Sequence, residues 1–441
     1  MLGRAFRWFW AGEAVSELGT YVTTVALQVL VVLTLGASAT ELGVVNAARW
    51  VPYLVLGLVL GVVVDRWRRR PVLITTDLAR GVLLGAVPLL WWVGALTVPV
   101  LAGFMVVLGV ASLLNDAASQ SFVPRLVPRS ALVRANARLD QTGAVAQASG
   151  PAVGGAVTTA LGAPLAVLVD AATYLLAAFA VWRAKVPEPN PVRTATRAGG
   201  GLRHATRRLL DDVREGLRWV YRHTTLAPLA LATHGWFLCN GVVTTVLAPF
   251  ALVGLGLSAF QLGLALAAAG AAGLVGALFS ERAGRVWGAG RTVVVARAAM
   301  VPAWSVVALA PVGDPDGAAA WLTVAVVALA PVGDPDGAAA WLTVAVVAAG
   351  QALYGLAMGL ENANEMGYRQ AVTPDHLQAR TNTTIRSVNR AMLVVGAPAG
   401  GLLADHVGYR PALWLGVAGF TLVAALLGFS RFRTAQHPQV S

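Results

Sequence analysis

Two acidic residues interrupt a stretch that is otherwise apolar enough to cross a membrane. Glu13 and Glu17 lie four residues apart between Phe6 and Leu35, so a helix places both on one face. A charged side chain at the bilayer centre costs at least ~2.5 kcal/mol unless it is paired or hydrated. Two like charges at this depth favour protonation of one of them, which is what a proton carrier needs. Glu17, ~16 Å into the helix, is therefore the first candidate for proton coupling, and Asp170 in a later apolar segment is the second.

Apolar elements must hold these carboxylates at membrane depth, and the composition supplies them. Of 441 residues, 57% are hydrophobic and 12% are charged, and the mean hydropathy is +0.68. This composition excludes a water-soluble enzyme and a disordered chain. The predicted spans are Phe6–Leu35, Leu42–Val64, Pro71–Leu96, Val98–Val127, Leu132–Leu161, Pro164–Ala184, Leu226–Leu255, Ala259–Ala283, Thr292–Pro311, Ala338–Val372, Leu377–Val407 and Pro411–Phe429. We therefore expect an all-α polytopic membrane protein with 12 transmembrane helices.

The arginines predict the orientation of the chain in its membrane. The formal net charge is +12, and Lys185 is the only lysine. Arginine clusters occur in the loops on one side of the predicted bundle and at both chain ends, whereas the loops of the other side contain only Arg410. Such loops stay in the cytoplasm, so we expect a multi-pass protein of the bacterial cytoplasmic membrane with both termini cytoplasmic. Because the cations are spread over many loops, no nucleic-acid partner is expected.

The spans fall into two sets of six, separated by a polar stretch. We expect an N-terminal six-helix bundle over residues 1–186, a cytoplasmic linker over 187–225 and a C-terminal bundle over 226–441. The linker begins with prolines and glycines, and its part from Leu202 to Tyr221 has the pattern of an amphipathic helix on the membrane surface. A simple spacer is the first interpretation of this helix, and lipid sensing is the alternative. We expect a monomer embedded in the lipid bilayer.

One block of the second bundle is repeated without change. Residues 308–327, ALAPVGDPDGAAAWLTVAVV, recur as residues 328–347. Identity over twenty residues indicates a recent tandem duplication. The apolar part, residues 318–332, would form a helix of about 22 Å, too short for a hydrocarbon core of ~30 Å. One extra span would also move the later arginines to the other side of the membrane. We therefore expect an enlarged external loop or a re-entrant hairpin.

A weaker repeat relates the two bundles and predicts paired charges. Asn136 and Asn382 open matching stretches, and a Gly-Gly pair follows each at the same spacing. Four residues after each asparagine stand Asp140 and Arg386. Opposite charges at equivalent positions predict an ion pair between the halves that breaks when a central cavity opens, with separate local pairs as the alternative. Two halves related by duplication are typical of one large class of transporters.

Asp116 and Glu361 lie in another pair of matching stretches and are further candidates for contact between the halves. Ion pairs with nearby arginines are the alternative for both. Asp77 and Arg80 are three residues apart on one predicted helix, so we expect them to neutralise each other.

A basic motif follows the second predicted span. It reads Gly61-Val-Val-Val-Asp65-Arg66-Trp67-Arg68-Arg69-Arg70. Glycine lets helices approach closely, negative charge is favoured at a helix start, and the arginines stay in the cytoplasm. The motif resembles the signature G-x-x-x-D-R-x-G-R-R of the major facilitator superfamily, with Arg68 where the family often has glycine. A weaker copy begins at Glu281. The resemblance implies a cytoplasmic gate of Gly61, Asp65, Arg66, Arg69, Arg70, Glu281, Arg282 and Arg285.

The fifth span contains the string Gly150-Pro151-Ala152-Val153-Gly154-Gly155. It resembles the end of the antiporter motif of drug–proton exchangers in the same superfamily, although Ala146 stands where that motif has glycine. The resemblance implies an antiporter motif formed by Gly150, Pro151, Gly154 and Gly155. Small residues favour helix contact in any membrane protein, so a packing face without directional meaning is the alternative.

Two further stretches, residues 115–136 and 169–174, resemble the bacterial branch that includes macrolide efflux proteins and enterobactin exporters. This resemblance implies two pseudo-symmetric six-helix bundles that export a small organic molecule, such as a drug, secondary metabolite or siderophore, by proton antiport with alternating access. A proton-coupled importer of a small metabolite is the alternative within transport.

The sequence predicts neither an enzyme nor a cofactor or metal site. It has no nucleotide-binding string and no paired histidine motif, and Cys239 is its only cysteine. A polytopic membrane enzyme acting on a lipid is the second alternative, but such enzymes usually carry clustered acidic or histidine motifs, which this sequence lacks.

Overall fold

In the computed structural model the chain folds into a bundle of long helices. The structure describes residues 2–64, 67–184, 214–311 and 335–436, and these residues contain helices and turns but no strand. The helices are α1 (Arg4–Val29), α2 (Ala39–Ala48), α3 (Val51–Val64), α4 (Arg69–Trp92), α5 (Val98–Leu126), α6 (Leu132–Leu161), α7 (Ala163–Arg183), α8 (214–222), α9 (Leu226–Pro249), α10 (Ala259–Trp287), α11 (Ala289–Ala308), α12 (Pro335–Val372), α13 (Asp375–Val407) and α14 (Tyr409–Gly428).

Twelve helical segments of the described residues have the length to cross a membrane. Nine helices are both long and apolar enough: α1, α4, α5, α7, α9, α10, α11, α12 and α14. Helices α6 and α13 are as long but more polar. Helices α2 and α3 form one crossing that is interrupted at Arg49 and Trp50. The predicted all-α fold with twelve spans is thus confirmed.

We call the side of the bundle on which α1 begins the terminal face, because an even number of crossings returns the chain to it. The opposite side is the distal face.

On the distal face, α2 and α10 begin with the same type of N-terminal cap. The hydroxyls of Ser38 and Ser258 accept a hydrogen bond from the backbone three residues ahead. A π-helical turn and a glycine with positive φ precede each of them, at Gly36 (φ 61°) and Gly256 (φ 66°). The repeat between the halves is therefore visible in the backbone.

The first half, α1–α7, and the second half, α9–α14, meet along two helix pairs. Within the first half, α1 packs against α6 and α7, and within the second half α9 packs against α13 and α14. Between the halves, α6 packs against α10 and α2 packs against α13. The buried apolar clusters cross this boundary on the distal side. Leu262 of α10 belongs to the core of the first half, and Ala39 of α2 belongs to the core of the second.

Part of the predicted linker helix is described as α8. Val220 is buried in the core of the second half, and Gly216 packs against Arg380 and Thr384 of α13. Glu215 forms an ion pair with Arg380. Residues 185–213, which include the start of the predicted amphipathic stretch, lie outside the described residues. The predicted boundaries at 186 and 225 stay predictions.

The repeated block begins at the last residue of α11, and its second copy includes the start of α12. Helix α11 ends at Ala308, where the first copy begins, and α12 begins at Pro335 within the second copy. Residues 312–334 lie outside the described residues, so the expected external loop or re-entrant hairpin stays a prediction.

Candidate functional site

A central cavity of 720 Å³ lies between the two halves. This volume is typical of sites for small organic molecules. Eight helical segments contribute to its wall, four from each half, and most lining residues are small or apolar. The longer polar and aromatic lining residues are Tyr21, Gln28, Asn46, Arg49, Trp50, Gln147, Gln351, Tyr354 and Asn362. Within the part of the chain that the structure describes, Arg49 is the one formally charged residue that lines it.

Glycines bring the backbones of the two halves into direct contact near the distal face. A Cβ atom on Gly155 of α6 would lie 2.5 Å from the carbonyl oxygen of Ala259. At the equivalent place, Gly401 of α13 faces the backbone of Ala39. Two further contacts of this kind lie deeper in the bundle, Gly263 with Pro151 and Gly43 with Ala397. Because no side chain fits at these positions, the two helix pairs close the distal side of the cavity.

A carboxylate of the second half caps a helix of the first half on the distal face. The two Asp405 oxygens accept hydrogen bonds from the backbone N–H groups of Ala39 (3.0 Å) and Thr40 (2.9 Å) at the start of α2. Negative charge at a helix N-terminus is stabilising, and charge-assisted bonds are strong. At the equivalent position in the first half, the Thr159 hydroxyl accepts from the backbone N–H of Phe260 at 3.1 Å. The distal contact is thus symmetric in position and asymmetric in charge.

The structure places Glu17 next to the cavity. Its side chain is exposed, and its Oε1 lies 4.0 Å from where a Cβ on Gly143 of α6 would stand. Tyr21, one turn further along α1, lines the cavity. Glu13 is half-buried one turn closer to the terminal face. Glu13, Glu17 and Tyr21 therefore form a stripe that leads along α1 to the cavity.

Asp170 lies in a different environment from Glu17. It is 1% exposed, on α7, and its Oδ1 accepts a hydrogen bond from the Thr173 hydroxyl at 2.8 Å. Gly19 of α1 packs directly on Asp170. A Cβ atom on Gly19 would collide with the side chains of Asp170 and Thr173. Asp170 is therefore enclosed between α1 and α7 and does not line the cavity.

Each half contains a buried ion pair away from the cavity. Asp77 and Arg80 pair on α4, as predicted, and the Asn115 amide of α5 donates to Asp77 at 3.0 Å. In the second half, Arg297 of α11 pairs with Glu361 of α12. Asn115 and Glu361 are the residues that the internal repeat aligns. The Asn115 hydrogen bond thus ties α5 to α4 in the first half, and the Arg297–Glu361 ion pair ties α11 to α12 in the second.

The four residues predicted to pair between the halves do not do so in this structure. Glu361 pairs with Arg297 of its own half, and Asp116 accepts a hydrogen bond at 2.8 Å from the Tyr53 hydroxyl of its own half. The Glu361 contact is the local ion pair with an arginine that the sequence left as the alternative, whereas the Asp116 partner is a tyrosine hydroxyl. Asp140 and Arg386 are both exposed and have no ion-pair partner among the described residues. The observed carboxylate contact between the halves on the distal face is that of Asp405.

Two features of the site were not singled out by sequence reasoning. Arg49 lies in an apolar segment of the sequence, and its exposure to a cavity is visible only once both halves are packed. Asp405 contacts Ala39, which lies 366 positions away in the chain, so no local sequence pattern predicts this contact. Its alignment with Thr159 in the internal repeat was the available signal.

The comparison with known families decides which family this architecture represents. The sequence model of the Major Facilitator Superfamily matches residues 9–362. The chain belongs to this superfamily. Two similar relatives are uncharacterized MFS-type transporters of Mycobacterium bovis and Mycobacterium tuberculosis, each 36% identical over 99 residues. That stretch covers 22% of this chain and 22% of each relative. The protein is therefore a membrane transporter of the superfamily type.

Solved structures of the Major Facilitator Superfamily type share its fold. A mutant of the nucleoside transporter NupG superposes with a TM-score of 0.73 at 10% identity, over 96% of this chain and 99% of that one. A bacterial homologue of the iron transporter ferroportin, in an inward-facing state, gives 0.71 at 12% identity over 98% and 100%. A bacterial homologue of the lysosomal transporter Spinster gives 0.65 at 13% identity over 96% of each chain. At these identities the likeness shows the fold alone.

The gate motif of the superfamily lies at the terminal face, between α3 and α4. Gly61 is in α3, whereas Asp65 and Arg66 lie outside the described residues. Arg69 donates to the Trp67 carbonyl at 2.9 Å, and Arg70 donates to the carbonyls of residues 181 and 182 at the end of α7. In the weaker copy, Glu281 and Arg285 form an exposed ion pair at 3.1 Å, and Arg282 is also exposed.

The antiporter-like motif of this superfamily member lies where α6 meets two neighbours. Gly150 and Gly154 pack against Tyr21 and Val22 of α1, while Pro151 and Gly155 contact α10 of the other half. The second half repeats the arrangement, with glycines of α13 against α9 and α2: Gly396, Gly400 and Gly401. Because both halves contain these glycines, close helix packing accounts for their spacing.

Proposed function

We propose that this transporter exports small organic molecules, of the drug, secondary-metabolite or siderophore kind, in exchange for protons. The observation that carries the proposal is the stripe of Glu13, Glu17 and Tyr21, which leads along α1 from the terminal face to the wall of a cavity sized for an organic molecule. A carboxylate at this position can take up a proton on one side of the membrane and release it on the other as the cavity changes sides.

Alternating access requires a contact between the halves that opens and closes. The glycine contacts between α6 and α10 and between α2 and α13 supply it on the distal side. We take the observed state as the one in which the cavity is closed to the distal side, as in the inward-facing ferroportin homologue of the same fold. The arginine distribution supports a bacterial cytoplasmic membrane with both termini in the cytoplasm, and hence a cytoplasmic terminal face. We expect the monomer to be the transporting unit.

Glu17 is the proposed coupling residue, because it is exposed and one turn from the cavity, whereas Asp170 is enclosed between α1 and α7. Export is supported by the resemblance of Gly150–Gly155 to the antiporter motif of drug–proton exchangers and by the resemblance to the macrolide and enterobactin branch. The equivalent glycines of α13 weaken the first argument, since packing alone requires them.

Everted membrane vesicles from a pump-deficient bacterium test both the direction and the coupling. The vesicles are energised to an acidic interior and supplied with an anionic, a neutral and a cationic dye, namely fluorescein, Nile red and ethidium. We expect at least one dye to accumulate inside, and a protonophore to abolish the accumulation.

Glu17→Gln is expected to lose gradient-driven accumulation and to keep downhill exchange, since the amide cannot carry a proton. Asp375→Asn, the same chemical change at an exposed position on the terminal face, is the matched control and is expected to leave accumulation unchanged. Unchanged accumulation in Glu17→Gln would remove this residue from the coupling step. Gradient-driven dye loss from the vesicles would support the alternative of a proton-coupled importer.

A further inference from the structure

Among the described residues that line the central cavity, one carries a formal charge. Arg49 lies in the break between α2 and α3, half-buried, and no aspartate, glutamate or lysine stands beside it in the cavity wall. Among the described residues no carboxylate lies within ion-pair distance of its guanidinium, and none accepts a hydrogen bond from it. An unpaired charge at membrane depth is expensive and marks a substrate pathway.

A second arginine increases this positive potential. Arg390 of α13 stacks on Trp50, with its guanidinium carbon 3.9 Å from the ring centroid, and the guanidinium carbon of Arg49 lies 5.8 Å from the same centroid. Arg390 also has no ion-pair partner among the described residues. The nearby carboxylate of Asp116 already accepts a hydrogen bond from Tyr53. Two guanidinium groups from opposite halves thus converge on one indole ring without a carboxylate bound to either.

A buried amide donor also lines the cavity, on the wall formed by the second half. Gln351 of α12 is 3% exposed and lines the cavity, and its Nε2 has no hydrogen-bond partner among the described residues. A buried donor without a partner is unfavourable, so the geometry provides a place for an acceptor. Carboxylate oxygens match both donors, because guanidinium binds them in a bidentate way and an amide N–H donates to them.

The remaining wall is apolar, and the internal repeat makes this asymmetry explicit. The equivalents of Arg49 and Trp50 in the second half are Ala269 and Gly270, which also line the cavity. Asn46 has Leu266 as its equivalent. The first half therefore presents most of the polar groups, and the facing α10 presents a small, apolar surface. A bare inorganic ion would leave most of the 720 Å³ unfilled.

We propose that the substrate class is an amphipathic organic anion, whose carboxylate or similar acidic group lies at Arg49 and whose apolar body packs against α10. This inference rests on the proposed function, because it assigns a substrate class to the same cavity. Arg49 is the binding residue for the acidic group, Gln351 donates to it, and Arg390 raises the local positive potential.

Matched ligands that differ only in charge test the proposal on the full chain in lipid nanodiscs. The probes are indole-3-acetate, indole-3-acetamide and tryptamine, with the same ring and a negative, neutral or positive group, and the measurement is the dissociation constant from titration calorimetry. The same trio built on naphthalene guards against a ring-specific effect. We expect the anions to bind at least about tenfold more tightly than the amides and the amines to bind most weakly.

Arg49→Gln is expected to weaken anion binding about tenfold and to leave amide binding unchanged, with Arg49→Lys in between. Gln351→Leu is expected to weaken anion binding about threefold, and it provides a second measurement should Arg49→Gln fold poorly. Arg431→Gln, an exposed arginine near the C-terminus, is the matched control. Equal affinities within each trio, no binding by any anion at millimolar concentration, or an anion preference that survives Arg49→Gln would each overturn the proposal.

Failure here is distinguishable from failure of the proposed function. Gradient-driven accumulation of ethidium or Nile red with no anion preference would leave proton antiport standing and remove the substrate assignment. Anion binding that depends on Arg49, combined with accumulation that is insensitive to a protonophore, would do the reverse.

Discussion

Arg297 and Arg49 show how the same residue type takes different roles in one helical bundle. Arg297 is 2% exposed and is bound by Glu361, by Glu365 at 3.3 Å and by the Thr233 hydroxyl at 3.2 Å. These contacts join α11 to α12 and α9, so its charge is neutralised within the fold. Arg49 has no such partner and faces the cavity. A buried ion pair as a whole adds little to the stability of a fold, but removing only one of its two partners is strongly destabilising.

The buried pair of Arg297 and Glu361 predicts a non-additive response to substitution. Arg297→Met leaves the Glu361 carboxylate buried without its counter-charge, a change that typically costs ~3–5 kcal/mol. The double variant Arg297→Met/Glu361→Met removes both charges, and we expect its thermal midpoint in detergent to recover most of the loss. The readout is the midpoint of both variants by intrinsic tryptophan fluorescence.

An exposed pair provides the control for this experiment. The side chains of Glu281 and Arg285 are 80% and 71% exposed, so Glu281→Gln is expected to change the stability by no more than ~0.5 kcal/mol. If the double variant is as unstable as Arg297→Met alone, the two side chains stabilise the fold by more than the mutual neutralisation of their charges.

At the scale of elements, the first turn of α2 is held by the opposite half. Its capping box is internal, with Ser38 bonded to the backbone N–H of Glu41, but two further N–H groups are bonded by Asp405 of α13. Opening the distal side must break these bonds, because α2 and α13 belong to different halves. The closed state is thus favoured by a contact that the open state lacks.

Asp405→Asn is therefore expected to shift the population towards the distal-open state. A neutral amide oxygen is a weaker acceptor than a carboxylate, and a loss of about 1 kcal/mol corresponds to a roughly fivefold shift. Spin labels at Leu161 and Val407, both exposed at distal helix ends, report the separation of the halves in a Cys239→Ala background. The labelled distance distribution should gain a longer component.

Thr159→Val is the matched variant on the other helix pair, where a neutral hydroxyl makes one bond to Phe260. It should produce a smaller shift than Asp405→Asn, since no charge-assisted bond is lost. Equal shifts would mean that the carboxylate charge adds nothing to the distal contact.

The helices were predictable because their signals are local, whereas the contacts between them were not. Hydropathy over windows of ~20 residues located the spans, and i,i+4 spacing placed Glu13 and Glu17 on one face. The partner of Glu361 depended on the rotation of α12 relative to α11, which composition does not encode. The Asp405 contact joins the last turn of α13 to the first turn of α2, across 366 residues.

At the scale of the whole molecule, the duplication accounts for the contacts between the helices of the two halves. Sequence divergence between the halves accounts for the cavity wall. The distal glycine contacts recur at equivalent positions in both halves, because both helix pairs must close without side chains between them. The cavity wall has diverged, so that Arg49 in the first half has Ala269 as its equivalent in the second, and both line the cavity. Because the distal glycine contacts are symmetric, the two halves can move as similar bodies. The asymmetric cavity between them can bind an asymmetric ligand.

The same comparison of halves predicts the effect of removing the duplicated block. In the first half, residues 93–97 connect α4 to α5, whereas residues 309–334 connect the equivalent α11 and α12. Deleting residues 328–347 leaves the sequence of both helices unchanged, because the first copy supplies the same residues for the start of α12. The connection then shrinks to six residues, against five in the first half.

We therefore expect the variant lacking residues 328–347 to fold and to transport at least as well as the full chain, since one copy of the block supplies every residue that the spans, the cavity and the distal contacts need. The measurement is dye accumulation in everted vesicles, normalised to the amount of protein in the membrane. Deletion of residues 340–359, a block of equal length that removes cavity-lining residues of α12 such as Gln351, is the control and should abolish accumulation. Loss of accumulation in the first variant, with normal insertion, would assign the repeated block a role in transport.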